Sequence, residues 1–225
     1  MSRVFFPIFT PMNKREKKRA LILDAMEKLI IEDKAADCSV SEIAKTAGIG
    51  KGSIYYYYRS KREIEIDLYY KTFGGFVENC EHIPNIQGNA LEKMKILFKT
   101  YYSQTLNLAI DNYLHLPQNM DMHQKVLSKL VETISPILSK IIECGVGEGI
   151  FDCDKPSEYA QFYVCIFTFL FDEGIFDMSE EEALIKLMAI SELMERGLKA
   201  KTNSLSFVYD KELLSSMRGP VRLSG

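Results

Sequence analysis

The stretch at residues 39–61, SVSEIAKTAGIGKGSIYYYYRSK, constrains this chain more than any other. Val40, Ile43, Ala44 and Ala47 recur at i, i+3, i+4 and i+7, which sets them on one face of a helix. Ser39 stands directly before that face and Glu42 follows three residues later. The hydroxyl and the carboxylate can each satisfy an orphan amide there, forming a capping box. Gly48 predicts the helix end, because glycine takes the left-handed conformation of a sharp exit without a Cβ penalty. Ile49 follows, placed to fill the corner, and a second short helix is predicted over residues 51–57. Two short helices about a tight turn are the sequence form of a helix-turn-helix, whose second helix enters the DNA major groove.

Side-chain chemistry assigns roles within this stretch. Lys51 can donate to guanine O6 and N7. Gly50 and Gly52 allow a backbone to approach DNA closely. Ser53, Tyr55, Tyr56 and Tyr57 offer hydroxyls to phosphates and ring edges to thymine methyls. Ile54 and Tyr58 share a helical face, so Tyr58 is expected in the core, while Tyr56 can face either way. Ser60 and Glu63 repeat the capping-box spacing and open a further helix. Lys61 and its amide lie at that helix start, where an anion is favoured, so a phosphate is expected there. The DNA-binding set is therefore Ser39, Gly50, Lys51, Gly52, Ser53, Tyr55, Tyr56, Tyr57 and Lys61.

The run Ile43-Ala44, Ala47-Gly48-Ile49-Gly50-Lys51-Gly52-Ser53-Ile54-Tyr55-Tyr56-Tyr57-Tyr58, Ser60-Lys61 resembles the DNA-binding signature of the tetracycline-repressor-like (TetR) family. The family pattern is I-A-x-x-A-G-V-S-x-G-T-L-Y-x-H-F-x-S-K, matched here in identity or character at most positions. The match covers about the first quarter of the chain. Gly50 replaces the usual serine and its capping hydroxyl, Tyr57 replaces the usual histidine, and Lys34 stands where a turn glycine is common. Arg62 takes a place that is often acidic. The resemblance supports DNA contacts by Tyr55 and Tyr57. It implies an all-α chain with a three-helix DNA-binding head and a larger helical body. It further implies that the body binds a ligand and that its last two large helices pair with those of a second copy.

Charge distribution agrees with that division. Up to Arg62 there are thirteen Lys and Arg against seven Asp and Glu, net +6; the whole chain carries −3, so the rest carries −9. A basic head on an acidic body suits a nucleic-acid-binding module joined to one that does not bind nucleic acid. Five cysteines, odd in number and without a C-x-x-C pair, read as reduced thiols in a cytoplasmic protein. The apolar start, MSRVFFPIFTPM, is broken by Pro7 and Pro11 and too short for a signal core, so residues 1–12 read as an arm. Residues 13–60 form the helix-turn-helix domain, 61–200 the ligand-binding and dimerisation domain, and 201–225 a tail with a short helix near residues 210–217.

The first helix is expected to start at Asn13 and run to about Ile31, with Ile22, Ala25, Met26, Leu29 and Ile30 as its apolar stripe. Lys14, Arg15, Lys17, Lys18 and Arg19 crowd its opening turns against the macrodipole, either to reach phosphate or as a solvated turn. The body reads as helices over residues 61–80, 90–109, 124–144, 157–171 and 179–198. A shorter piece lies around residues 113–122, and a glycine-rich turn falls at residues 145–149. The segment 157–171 is apolar all round, which requires cover on every side, yet it is shorter than the ~20 residues of a membrane span.

Phe73, Phe76, Phe98, Tyr101, Tyr102, Tyr113, Met120 and Phe167 are the candidate ligand lining, for an apolar or aromatic small molecule. The same residues at helical spacing also suit plain core. His82, His115 and His123 lie in or near loop-like stretches, and His115, Asp121 and His123 match no closed metal-site spacing. No catalytic or nucleotide-binding motif occurs, so no metal, cofactor, enzymatic activity or membrane contact is expected. The expected partners are double-stranded DNA with a palindromic operator, a second copy of the chain, and a small effector. A helical adaptor that keeps the helix-turn-helix as scaffold is the alternative.

Overall fold

The structure is a computed structural model that describes residues 13–102, 108–172 and 174–210. Among these residues it contains nine α-helices and three short 3-10 turns, with no strand. The first four helices are α1 (Lys14–Ile31), α2 (Val40–Thr46), α3 (Lys51–Tyr57) and α4 (Lys61–Glu81). The chain divides into two compact units after Leu68, within α4.

In the first unit, local signals set each helix. The Asn13 side chain accepts from the amides of Arg15 and Glu16, while the Glu16 carboxylate takes the Asn13 amide. This box places an acid in a first turn otherwise crowded with cations. Ser39 and Glu42 form the expected box on α2. Gly48 has φ +65°, and the amides of Gly48 and Ile49 return to the carbonyls of Lys45 and Ala44. That is a Schellman exit, so glycine is needed here for its backbone. Helix α1 packs on α2, and α2 on α3. Ile22, Met26, Ile43, Ile54, Ile64 and Leu68 are fully buried. Tyr58 is buried as expected; its hydroxyl donates to Asp67, which also pairs with Arg19 at 2.7 Å.

The second unit holds the rest of α4, then α5 (Ala90–Tyr102), α6 (Leu108–Leu114), α7 (Met120–Gly147), α8 (Pro156–Leu170) and α9 (Glu180–Gly197). Helix α7 lies along α8 and α5. Met94 and Phe98 from α5, Ile134, Leu138 and Ile141 from α7, Val164 and Phe167 from α8, and Leu187 and Met194 from α9 share one core. Pro156 begins α8, where its missing amide is harmless. Ser179 and Glu182 cap α9 reciprocally.

Several expectations need correction. Helix α7 begins at Met120, four residues before the expected start, and continues to Gly147. Gly145 is therefore a helix residue, not a turn residue. A Cβ there would lie 2.2 Å from Phe151 and 2.9 Å from Ala90, so close packing requires the glycine. The piece expected around residues 113–122 is split: α6 ends at Leu114, and a 3-10 turn at Pro117–Asn119 leads into α7. Within residues 201–210, read as tail, two side chains join the core. Leu205 and Val208 are fully buried. The buried Glu195 carboxylate accepts from the amides of Asn203 and Leu205 at 2.9 and 2.8 Å, which compensates its loss of water. The arm at residues 1–12 and the short helix expected near residues 210–217 fall, but for Asp210, outside the described residues. All five cysteines are free thiols. No helix among the described residues is long and apolar enough to cross a membrane.

Candidate functional site

Helix α3 buries Ile54 and presents Gly50, Lys51, Gly52, Ser53, Tyr55 and Tyr56 to solvent, with Tyr57 half-buried. Tyr56 is 74% exposed, which answers the question of its direction. Its ring meets that of Tyr57 edge to face at 5.1 Å between centroids. With Gly50 in place of serine, α3 has no side-chain cap. Gly50 has φ −67°, so its backbone does not require glycine. A Cβ at Gly52 would meet nothing within 4 Å, and one at Gly50 only the Ser53 hydroxyl at 4.0 Å. Neither glycine fills a packing role inside the unit, although Gly52 costs a short helix about 1 kcal/mol against alanine. Close approach from outside is the remaining use of that bare surface.

Two other members of the DNA-binding set serve inside the unit. The Lys61 ammonium donates to the carbonyls of Ala35 and Ala36, the latter at 2.9 Å, and stands 3.8 Å from the buried Glu65 carboxylate. It ties the start of α4 to the turn after α1 and does not project freely. The Ser39 hydroxyl accepts from the Glu42 amide; the Ser39 backbone amide, and after it the Ser39 hydroxyl, donate to the Glu42 carboxylate and hold that carboxyl below its ordinary value. The expected second capping box is altered: Ser60 accepts from the Glu63 amide, but the Glu63 carboxylate takes the amide of Arg59 at 2.6 Å. Of the basic turns of α1, Lys14, Arg15 and Lys17 are exposed, whereas Arg19 lies over the Tyr58 ring at 5.1 Å and pairs with Asp67.

The expected ligand lining separates into different places. Phe98, Tyr101 and Phe167 come together with Leu97, Ile134, Leu138 and Val164 around a void of only about 30 Å³, close to one water. Phe98 and Phe167 meet edge to face at 4.8 Å, and Phe76 meets Tyr101 at 5.9 Å. These four residues act as core. Burial pushes the Tyr101 phenol up to about 12, and its hydroxyl lies 3.5 Å from that of Thr168. Tyr113 is buried, Met120 is 48% exposed, and the Tyr102 side chain lies outside the described residues. Phe73 lines a sizeable cleft.

That cleft, about 340 Å³, is bounded by Tyr70, Phe73, Gly74, Val77, Val126, Lys129, Leu130 and Thr133. Beside it is a polar cleft of about 420 Å³ with Asp121, Gln124, Lys125, Ser128 and Glu132; Tyr70 and Lys129 line both. The sequence carried a weak signal for this pairing. On the first half of α7, Val126, Leu130 and Thr133 share one helical face while Lys125 and Lys129 flank it.

His115 and His123 do converge on a carboxylate, but it belongs to Asp172 rather than Asp121, whose side chain is 56% exposed. His123 is not in a loop; it lies in α7 and is buried. The nearby Asp172 carboxylate raises His115 to about 9 against the opposing effect of burial, with the Asp111 carbonyl adding to the rise. Burial pushes Asp172 upward, but the two histidines outweigh it and leave the carboxyl below its ordinary value.

A basic unit with a solvent-facing second helix of a helix-turn-helix, joined in one chain to a helical unit with clefts, is the make-up expected of a DNA-binding transcriptional regulator. Two family descriptions match: bacterial regulatory proteins of the tetR family over residues 22–65, and the tetracyclin repressor-like C-terminal domain over residues 103–193. The fatty acid metabolism regulator protein of Bacillus subtilis (strain 168) is 32% identical over 142 residues, 61% of this chain and 73% of that protein. The chain belongs to the TetR family of DNA-binding transcriptional regulators, not to a family of enzymes. Solved structures agree in fold. The fatty acid degradation regulator FadR from Bacillus halodurans superposes with a TM-score of 0.54 at 21% identity, covering 96% of this chain and 100% of that one. FadR from Bacillus subtilis in complex with stearoyl-CoA gives 0.52 at 21% identity, covering 88% and 99%.

Proposed function

We propose that two copies of this chain bind a palindromic operator, each laying α3 in a major groove, and release it when a fatty acyl thioester binds the second unit. The observation that carries the DNA half is the α3 face: Gly50, Lys51, Gly52, Ser53, Tyr55 and Tyr56 stand in solvent around a buried Ile54. Lys51 reads guanine, the tyrosines and Ser53 reach phosphates and thymine methyls, and the glycines let the backbone come close. Ser39 and Lys61 hold the motif in shape, and Lys61 offers its backbone amide, not its ammonium, to a phosphate. Half-sites lie about 34–36 Å apart or a multiple of that distance.

Dimer formation uses α8 and α9. Phe162 is 58% exposed, Ile185 59% and Leu193 51%, an apolar surface that a second copy would cover. For the effector, the paired clefts favour an amphipathic molecule. Its chain would lie along Phe73, Val77, Val126 and Leu130, with its anionic head by Lys125 and Lys129. The relatives that regulate fatty acid metabolism, one of them solved with stearoyl-CoA, support the acyl class over the aromatic one. The effector must bind the two dimer states with different affinity, since equal affinity shifts nothing.

The test starts with selection of bound sequences from random DNA at two salt concentrations. A recovered palindrome whose affinity falls steeply with salt supports the DNA half; no enriched sequence at low salt refutes it. Oleoyl-CoA, oleate and free coenzyme A are then added to the selected operator complex. Release by oleoyl-CoA alone supports the thioester, and release by none of the three refutes the effector assignment.

A further inference from the structure

We propose that His115, His123 and Asp172 form a binding site for one divalent transition-metal ion, with Zn²⁺ as the best fit. The three side chains come from three elements: the residue after α6, the first turns of α7, and the chain just past α8. Their donor atoms all lie within 4.8 Å of one another. His123 Nε2 is 2.9 Å from Asp172 Oδ2, and His115 Nε2 is 3.8 Å from Asp172 Oδ1. Nitrogen and oxygen donors stand about 2.0–2.2 Å from Zn²⁺, hence roughly 3.4 Å apart in a tetrahedron. The two separations to Asp172 lie on either side of that value, and a wider separation within the set, up to 4.8 Å, would contract on binding.

Unsatisfied chemistry points to the same place. Among the described residues, His115 Nε2 and Asp172 Oδ1 are buried polar atoms without a hydrogen-bond partner, and each such group in a folded protein calls for an explanation. One cation between them would satisfy both. His115 Nδ1 lies 2.9 Å from the Asp111 carbonyl. Donation of Nδ1–H to that carbonyl fixes the ring, so that a metal displacing the Nε2 proton would find the usual outer-shell arrangement of a metal-binding histidine. His123 and Asp172 are 2% and 5% exposed, so the ligands are held inside the unit rather than on its surface. Gly174 closes over them: a Cβ there would lie 2.4 Å from His115 Cδ2, 2.8 Å from His123 Cε1 and 3.1 Å from Asp172 Oδ1.

Two imidazoles and one carboxylate suit a borderline cation; Mg²⁺ and Ca²⁺ demand more oxygen. Three protein ligands leave a fourth position for water or an added anion. Bound there, the ion would tie the link between α6 and α7 to the chain following α8. The site is separate from the paired clefts, so it stands or falls independently of the acyl effector.

The experiment uses the full chain, reduced and freed of metal with a chelator. Co²⁺ titration is expected to give one equivalent per chain with ligand-field bands and no thiolate charge transfer, and Zn²⁺ is expected to displace it. His115→Gln and Asp172→Asn should each weaken Zn²⁺ binding by more than the ~10–100-fold that loss of an outer-shell partner causes. Asp121→Asn, the exposed carboxylate next in sequence, should leave affinity unchanged. Cadmium-113 resonance of the unmutated chain reports its donors even if a variant fails to fold. A nitrogen/oxygen shift agrees with the site, and a thiolate shift overturns it. Absence of Co²⁺ bands in the unmutated chain, or unchanged affinity in His115→Gln and Asp172→Asn, would also overturn it. In that case the three side chains hold a proton between them instead.

Discussion

Helix α3 and the α8–α9 pair both leave large side chains in solvent, but of opposite kinds. On α3 the exposed groups are Lys51, Ser53, Tyr55 and Tyr56, each ending in a donor or hydroxyl. On α8 and α9 Phe162, Ile185, Met188 and Leu193, none with a polar tip, stand exposed among charged neighbours such as Glu192 and Arg196. The first surface remains well solvated until it meets something charged and hydrogen-bonding. The second is unfavourable in water and is relieved only by other apolar surface. Exposure alone therefore does not identify a partner, whereas the chemistry of the exposed group does.

The largest effect expected is on the apolar surface. Phe162→Asp combined with Leu193→Asp should weaken self-association by about 4 kcal/mol, giving a monomer in sedimentation at micromolar concentration. A doubly substituted chain that still sediments as a dimer would remove α8 and α9 from the interface. Next is Lys51→Ala, expected to weaken specific operator binding by about 1–3 kcal/mol and to relax one base position. Equal loss on all sequences would make Lys51 a phosphate contact instead.

Lys61→Ala sharpens the contrast between surface and scaffold. Its ammonium bonds to Ala35 and Ala36, so the expected result is about 1.5–3 kcal/mol lower stability of the first unit by denaturant melting. Binding by the folded fraction should change little, and a large drop in affinity at full stability would return the ammonium to the DNA. The smallest effect is expected from Gly52→Ala. Since a Cβ there meets nothing within 4 Å, the helix should gain about 1 kcal/mol while operator affinity falls. A gain in stability with unchanged affinity would show that no close approach occurs at that residue.

What was legible in the sequence follows the range of the interaction. Ser39, Glu42 and Gly48 act on groups within about one helical turn of themselves, and their roles could be read directly. The start of α8 at Pro156 and the cap of α9 at Ser179 were readable for the same reason. The partners of the Lys61 ammonium could not be read, because they lie 25 and 26 residues away, across a turn whose path no spacing rule gives. Aromatic residues were equally ambiguous. Phe98 and Phe167 look alike as pocket lining or core until α5 and α8 are brought to 4.8 Å between their rings.

The sequence by itself determined that this chain is helical, where its helix-turn-helix lies, and which side chains of α3 are the candidates for recognition. Those features depend on helical periodicity and on bonds closed within a turn. Only the tertiary structure decided that Asp172 rather than Asp121 meets His115 and His123, that Leu205 and Val208 join the core, and that Phe73 borders a cleft of about 340 Å³ while Phe167 packs around a void of about 30 Å³. Each of those outcomes depends on elements far apart in the chain reaching contact distance, and packing sets that distance rather than local propensity.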